Sequence, residues 1–193
     1  MLIKNEFEVA ESPSTVWDFF NDVPAVASCL PGADISEQVG EDSYKGTVVV
    51  GLGPVKLNFA GQATIRERDP DQRRIVVDAA GSDEKGRGEA ALVLGAVVSP
   101  SGSGSTVAIE QDLQLSGAAA QYGRGMVQDV TAILLDQFAS NMSAKLTALE
   151  QGVDYQPGEA RSASGFAIGL RALRLALARV ARRFFLPYRP AND

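Results

Sequence analysis

The chain has 193 residues and a net charge of −6 from 18 basic and 24 acidic side chains, with 45% hydrophobic residues, one cysteine and no histidine. This length buries a core without staples, and the missing histidine excludes histidine-ligated metals, Ser-His-Asp or Cys-His nucleophiles and imidazole acid–base steps. A lone Cys29 excludes an intrachain disulfide or a cysteine metal cluster, and the acidic balance argues against nucleic acid as the main partner.

Residues 2–9 alternate, with Ile3, Phe7 and Val9 on one strand face. Ser12-Pro13 then reads as a helix start, Ser as N-cap and Pro at the first helical position. The helix carries Val16, Trp17, Phe19 and Phe20. A second short helix is expected from Pro24 to about Leu30, stopped by Pro31-Gly32. Strand-like runs follow at about 33–39, 44–51, 55–68, 73–80, 88–98 and 105–115, separated by turn signals such as Gly40-Glu41-Asp42-Ser43, Asp69-Pro70-Asp71-Gln72 and the loop 99–104. In the third run Val55, Leu57, Phe59, Gly61, Ala63 and Ile65 share a face. Short connections predict an antiparallel meander.

From about Ala119 to Glu150 the period becomes helical, with a stripe of Val127, Val130, Leu134, Phe138 and Met142 continued by Lys145/Leu146. Nearly thirty residues make a helix about 40 Å long. The expected class is α+β: a curved antiparallel sheet of about seven strands round a long helix, with an apolar groove between them.

Charge divides the chain. Residues 1–160 carry 11 basic and 23 acidic side chains, whereas 161–193 carry seven arginines against Asp193 alone. Between them, Gly, Pro and Ser without an apolar period predict a flexible linker over 151–164. Beyond it, Phe166, Leu170, Leu173, Leu177, Val180 and Phe184 recur at helical spacing, opposite Arg171, Arg174, Arg179, Arg182 and Arg183. Five arginines forbid a spanning helix, since each costs several kcal/mol at the bilayer centre. A basic amphipathic helix over 165–186, followed by a tail 187–193, therefore reads as an in-plane membrane anchor, or as a helix docked on a protein groove or on the acidic body.

Other signals are plain. Gly51-Leu52-Gly53-Pro54 lacks the third glycine and the helix of a dinucleotide fingerprint and reads as a strand-end turn. No phosphate-loop motif occurs. Asp69/Asp71 and Asp83/Glu84 are expected to be solvated turn acids, and nothing predicts a metal site. Cys29 reads as a buried structural thiol. The first residues show no charged-then-apolar leader, so a cytoplasmic location is expected.

Several stretches together carry a resemblance: Val16-Trp17-Asp18-Phe19-Phe20-Asn21-Asp22, Cys29-Leu30-Pro31-Gly32-Ala33, Tyr44 to Val55, Phe59-Ala60-Gly61-Gln62-Ala63, and Gly117-Ala118-Ala119-Ala120-Gln121-Tyr122-Gly123. In order and spacing they resemble the carbon monoxide dehydrogenase CoxG family, within the helix-grip superfamily of START- and Bet v-like proteins. The resemblance covers most of residues 1–150. It implies a helix-grip ligand-binding domain and a non-catalytic accessory to a molybdenum CO dehydrogenase. The implied role is linking that enzyme to the inner face of the cell membrane and the respiratory chain, with an isoprenoid quinone as candidate bound ligand and no covalent cofactor. Trp17, Phe20, Tyr44, Phe59, Tyr122 and Met126 are then candidates to line the cavity, although each also reads as simple core. Tyr44, Gln62 and Tyr122 are its candidate polar groups. The alternative is a membrane-tethering scaffold with no ligand. A cyclase or hydrolase on the same fold is disfavoured by the missing histidine.

Overall fold

A computed structural model describes residues 1–152. The expectations for the linker beyond residue 152, the amphipathic helix 165–186 and the tail 187–193 lie outside the described residues. Strand β1 (Leu2–Val9) leads into helices α1 (Pro13–Asn21) and α2 (Val23–Cys29). Six strands follow: β2 (Ala33–Gly40), β3 (Ser43–Leu52), β4 (Val55–Asp69), β5 (Arg74–Asp83), β6 (Glu89–Ser101) and β7 (Gly104–Leu115). A 3-10 turn (Gly117–Gln121) then precedes the long helix α3 (Arg124–Glu150).

The strands form one seven-stranded antiparallel sheet in the order β1-β7-β6-β5-β4-β3-β2. The chain thus starts beside its last strand, and β2 forms the opposite edge. This is the helix-grip arrangement expected from the sequence.

Local chemistry sets the helix ends. The Ser12 hydroxyl accepts from the Thr15 amide at 3.2 Å and Pro13 opens α1, while the Asp22 carboxylate accepts from Ala25 N–H at 3.0 Å to cap α2. The α3 boundary differs from the sequence expectation of 119. Gly117 has φ 63°, and a Cβ there would lie 2.4 Å from the Arg87 carbonyl oxygen. The backbone is thereby held against the β5–β6 turn, makes a single 3-10 turn, and starts α3 only after Gly123. The β6–β7 hairpin is tighter than the loop expected over 99–104, because both strands run to its tip at Ser101 and Gly104.

Two apolar clusters make up the core. The larger joins α1, α2 and the second half of α3 to the sheet through Val9, Val16, Phe19, Phe20, Cys29, Ile65, Ile75, Val107, Phe138, Met142 and Leu146. Phe20 stacks on Phe138 at 6.5 Å and 5°, and Phe7 meets the same ring edge-on at 6.1 Å. Such pairs add about 0.5–1.5 kcal/mol each beyond burial. Two polar contacts clamp α2 to α3: Asn141 Nδ2 donates to the Cys29 carbonyl at 3.0 Å, and Lys145 Nζ donates to Ser28 Oγ at 2.6 Å. Cys29 is fully buried; burial pushes its thiol above the ordinary value, against smaller opposite contributions from the Ser28 hydroxyl and the Lys145 charge. The smaller cluster lies at the other end: Leu52, Leu57, Phe59, Ala119 and Val130, with Val48, Val50, Ala90, Leu115, Tyr122 and Leu134 against it.

Candidate functional site

Antiparallel register places directly opposed residues on the same sheet face, so the face under α3 can be followed row by row. One row reads Ile3, Gln111, Leu94, Val77, Ile65. The next reads Leu113, Leu92, Ala79, Ala63, Tyr44. The row after it reads Leu115, Ala90, Gly81, Gly61, Gly46. The first of these belongs with the larger cluster through Leu94, Val77 and Ile65, and Leu115 and Ala90 of the third belong with the smaller.

The middle row belongs to neither cluster. All five of its residues are only partly buried, although they face the interior. Above it, α3 passes between clusters at consecutive residues, Leu134 packing with the smaller and Leu135 with the larger. The closest backbone approaches of α3 to the sheet are to β1 and β3, on either side of the central strands. We read this unpacked strip as an apolar groove beneath α3, crossing five strands and so roughly 19 Å long. Its floor is narrow in side chain where Ala79 and Ala63 lie, and the glycines beside it draw the backbones together: a Cβ on Gly61 would lie 2.0 Å from the Ala80 carbonyl oxygen.

Of the residues singled out from the sequence, Tyr44 stands in this row. Phe59 and Tyr122 belong to the smaller cluster, and Phe20 to the larger with Trp17 packed against it. Met126 is 44% exposed on the first turn of α3. Gln62, expected in the cavity, lies elsewhere. It pairs with Lys45 and Ala80, one residue out of phase with Gly61 and Ala63, and so stands exposed on the outer face of the sheet. There it contacts Thr64 Oγ1 at 3.4 Å and lines an open trough of about 880 Å³ with Lys45, Thr47, Ala60, Ala80 and Gln114. Being on the opposite face, it is not a polar group of the groove.

Sequence reasoning missed Leu92, Leu113 and the two amides at one end of the groove, Gln111 and Asn5. The amides had a signal: each interrupts an apolar alternation, Ile3-Asn5-Phe7-Val9 on β1 and Val107-Ile109-Gln111-Leu113 on β7.

Asp83 also departs from expectation. It is not a solvated turn acid but 3% exposed, facing inward opposite Phe59. Its carboxylate accepts from Arg87 Nε and Nη2, both at 2.7 Å, and from the amides of Asn58, Lys85 and Arg87. Arg87 also donates to the Lys56 carbonyl at 2.8 Å. The guanidinium, followed by those amides, holds the Asp83 carboxyl well below the usual carboxylate range against the opposing effect of burial. The clasp fixes the β5–β6 turn to β4 and, through the Arg87 carbonyl that accepts from Ala118 N–H at 2.6 Å, to the entry of α3. Its charges are mutually satisfied, so its role is to hold one end of the groove. Among the described residues no group of three or more His, Cys, Asp or Glu side chains could hold a metal, and no helix is long and apolar enough to cross a membrane.

Comparison with known proteins agrees with this architecture. No curated protein matches the chain. Among solved structures, a conserved Geobacillus kaustophilus protein superposes with a TM-score of 0.68 at 18% identity, covering 76% of this chain and 95% of its own. The Zhui aromatase/cyclase from Streptomyces sp. R1128 superposes with a TM-score of 0.56 at 13% identity, covering 80% and 99%. Ara h 8.0201 superposes with a TM-score of 0.54 at 13% identity, covering 77% and 98%. These likenesses are to the helix-grip fold alone. The model of the carbon monoxide dehydrogenase CoxG family matches residues 6–147, most of the sheet and nearly all of α3, and the chain belongs to that family.

Proposed function

We propose that this protein is a non-catalytic carrier that holds an isoprenoid quinone in the groove beneath α3 and brings it to a molybdenum CO dehydrogenase at the cytoplasmic membrane face. The observation that carries the reading is the row Leu113, Leu92, Ala79, Ala63 and Tyr44, which lines the interior yet is packed into neither core cluster. Exposed interior apolar surface costs about 25 cal/mol per Å² against burial, and a bound apolar molecule removes that cost. Family membership supports the accessory role and the dehydrogenase as partner. The chain has no histidine, and Asp83 is held in an ion pair by Arg87, so neither supplies an activated acid or base to the groove.

Membrane contact is assigned to the sequence pattern of 165–186: Phe166, Leu170, Leu173, Leu177, Val180 and Phe184 toward lipid, and Arg171, Arg174, Arg179, Arg182 and Arg183 toward anionic headgroups. At about 1 kcal/mol per basic residue near an anionic surface, this patch supplies several kcal/mol. The carrier reading is tested by mass spectrometry of solvent extracts of the purified full chain. An isoprenoid quinone at near-equimolar amount is expected; its absence after expression in several quinone-containing hosts overturns the reading and leaves a scaffold.

A further inference from the structure

The groove is apolar along its floor, but one end carries two amide side chains. Gln111, on the row next to the floor, is 7% exposed and has no hydrogen-bond partner among the described residues. Its register partners are Ile3 on β1 and Leu94 on β6, and Leu113, the first residue of the floor, follows two positions later on the same face. Asn5 lies diagonally across on β1, opposite Ile109 on that same face. Its Oδ1 is buried and also without a partner. An unpaired buried amide oxygen costs of order 1–3 kcal/mol; Asn5 Oδ1 is one, and Gln111 lies diagonally across the β1–β7 pair from it. The other end of the floor is Tyr44, roughly 19 Å away across the strands. Both ends therefore cannot grip one ring.

The charges nearest this surface are already matched. Asp83 is neutralised by Arg87 at the far end of the fold. Arg68, opposite Ile75 and four strands across from Asn5, pairs with Asp42 through Nη1, while its Nε is buried without a partner. The Met1 ammonium, at the sheet edge beside Leu113, is held by the Asp112 carboxylate and the Leu113 carbonyl. A carboxylate or phosphate brought to Gln111 and Asn5 would thus have to draw a cation from its existing partner, and a desolvated, unpaired charge is strongly disfavoured. An amide, by contrast, donates to a carbonyl and accepts from a hydroxyl.

We infer that Gln111 and Asn5 form the recognition point for the polar end of the ligand, and that this end is uncharged, a carbonyl or hydroxyl, with the apolar remainder running along Leu113, Leu92, Ala79 and Ala63 toward Tyr44. The inference rests on the carrier reading above and adds the orientation and the charge class. Fatty acids and phospholipids are thereby excluded as occupants at that end.

Isothermal titration of the full chain with menaquinone-2 and with palmitate tests it. Gln111→Leu, and Gln111→Met, which keeps length and volume, are expected to weaken menaquinone-2 binding about tenfold, and Tyr44→Phe, at the opposite end of the floor, to weaken it less than either. Palmitate is expected to bind the unaltered chain more than about tenfold more weakly than menaquinone-2. Thermal melting confirms that the Gln111 variants are folded. Menaquinone-2 binding that is unchanged in both Gln111 variants, or lost in Tyr44→Phe instead, overturns the orientation while the carrier reading stands. Palmitate binding as tight as menaquinone-2 overturns the charge class. An unaltered chain that binds no menaquinone-2 overturns the carrier reading itself, and the inference with it.

Discussion

The two faces of one sheet both leave its middle uncovered, and they differ in what lies there. The outer trough is bordered by Lys45, Thr47, Gln62, Glu89 and Gln114 around exposed Ala60, Ala80 and Ala91. Such a surface is at home in water and has no need of an occupant. The inner groove is lined by Leu113, Leu92, Ala79 and Ala63 between two packed apolar clusters. Adjacent residues such as Ala79 and Ala80 thus serve opposite surfaces. A hollow by itself says little; what distinguishes a binding groove is apolar surface that faces the interior without finding a partner there.

That contrast, and the contrast between the groove and the packed ends flanking it, can be broken by substitution. The largest loss of stability is expected at the packed end. Phe138→Ala removes the ring that Phe7 and Phe20 both contact, and should cost about 3–5 kcal/mol by urea denaturation. A change below about 1 kcal/mol there means that this end is as loose as the groove.

Smaller, and of a different origin, is Gly61→Ala. The added methyl meets the Ala80 carbonyl rather than open space, so a loss of about 1–3 kcal/mol is expected from overpacking, visible as a lower Tm. An unchanged Tm contradicts the close approach of β4 and β5. For this reason Gly61 is a poor place to fill the groove, although its small size invites it.

The Asp83–Arg87 clasp gives a pH signature. Asp83 titrates below its unfolded value near pH 3.9, so its contribution is complete above that pH and is lost as pH falls toward the lowered folded value. Arg87→Met removes the main cause of the lowering. The acid-unfolding midpoint, followed by circular dichroism, should therefore move to higher pH, and an unmoved midpoint removes the clasp from the account. Least expensive in stability is Ala79→Leu, which extends into open groove; its denaturation midpoint should stay within about 1 kcal/mol of the unaltered chain while quinone retention falls.

Liposome flotation addresses the part of the chain beyond the sheet. The full chain should float with anionic vesicles and less with neutral ones, and a chain ending at residue 160 with neither. Flotation of the shortened chain moves the membrane contact to the body.

Much of this was legible in the chain itself. Alternation placed Leu57, Phe59, Gly61, Ala63 and Ile65 on one face, and all five do face α3. The α3 stripe was also right in direction, with Val127, Val130, Phe138 and Met142 buried, whereas Leu134 is half-buried where the helix passes over the groove. The groove itself was not legible. It is a row of five residues drawn from β7, β6, β5, β4 and β3, and only register across those strands brings Leu113 into line with Tyr44. Gln62 shows the opposite failure: its chemistry suited a polar contact, but its odd-and-even phase against Gly61 and Ala63 already assigned it outward. Gln111 was signalled by phase in the other direction, a polar residue at an apolar position. Asp83 stayed hidden because β5 runs past 80 to 83 and its partner Arg87 is met only after the turn closes.

Comparing Ala79→Phe with Ala80→Phe distinguishes a ligand held in the inner groove from one held in the outer trough. These neighbouring substitutions place the same ring on opposite faces. With quinone in solvent extracts of each purified full chain measured by mass spectrometry, the account predicts that Ala79→Phe loses most of the bound quinone and Ala80→Phe keeps it. Loss in Ala80→Phe with retention in Ala79→Phe would contradict it and move the site to the outer face.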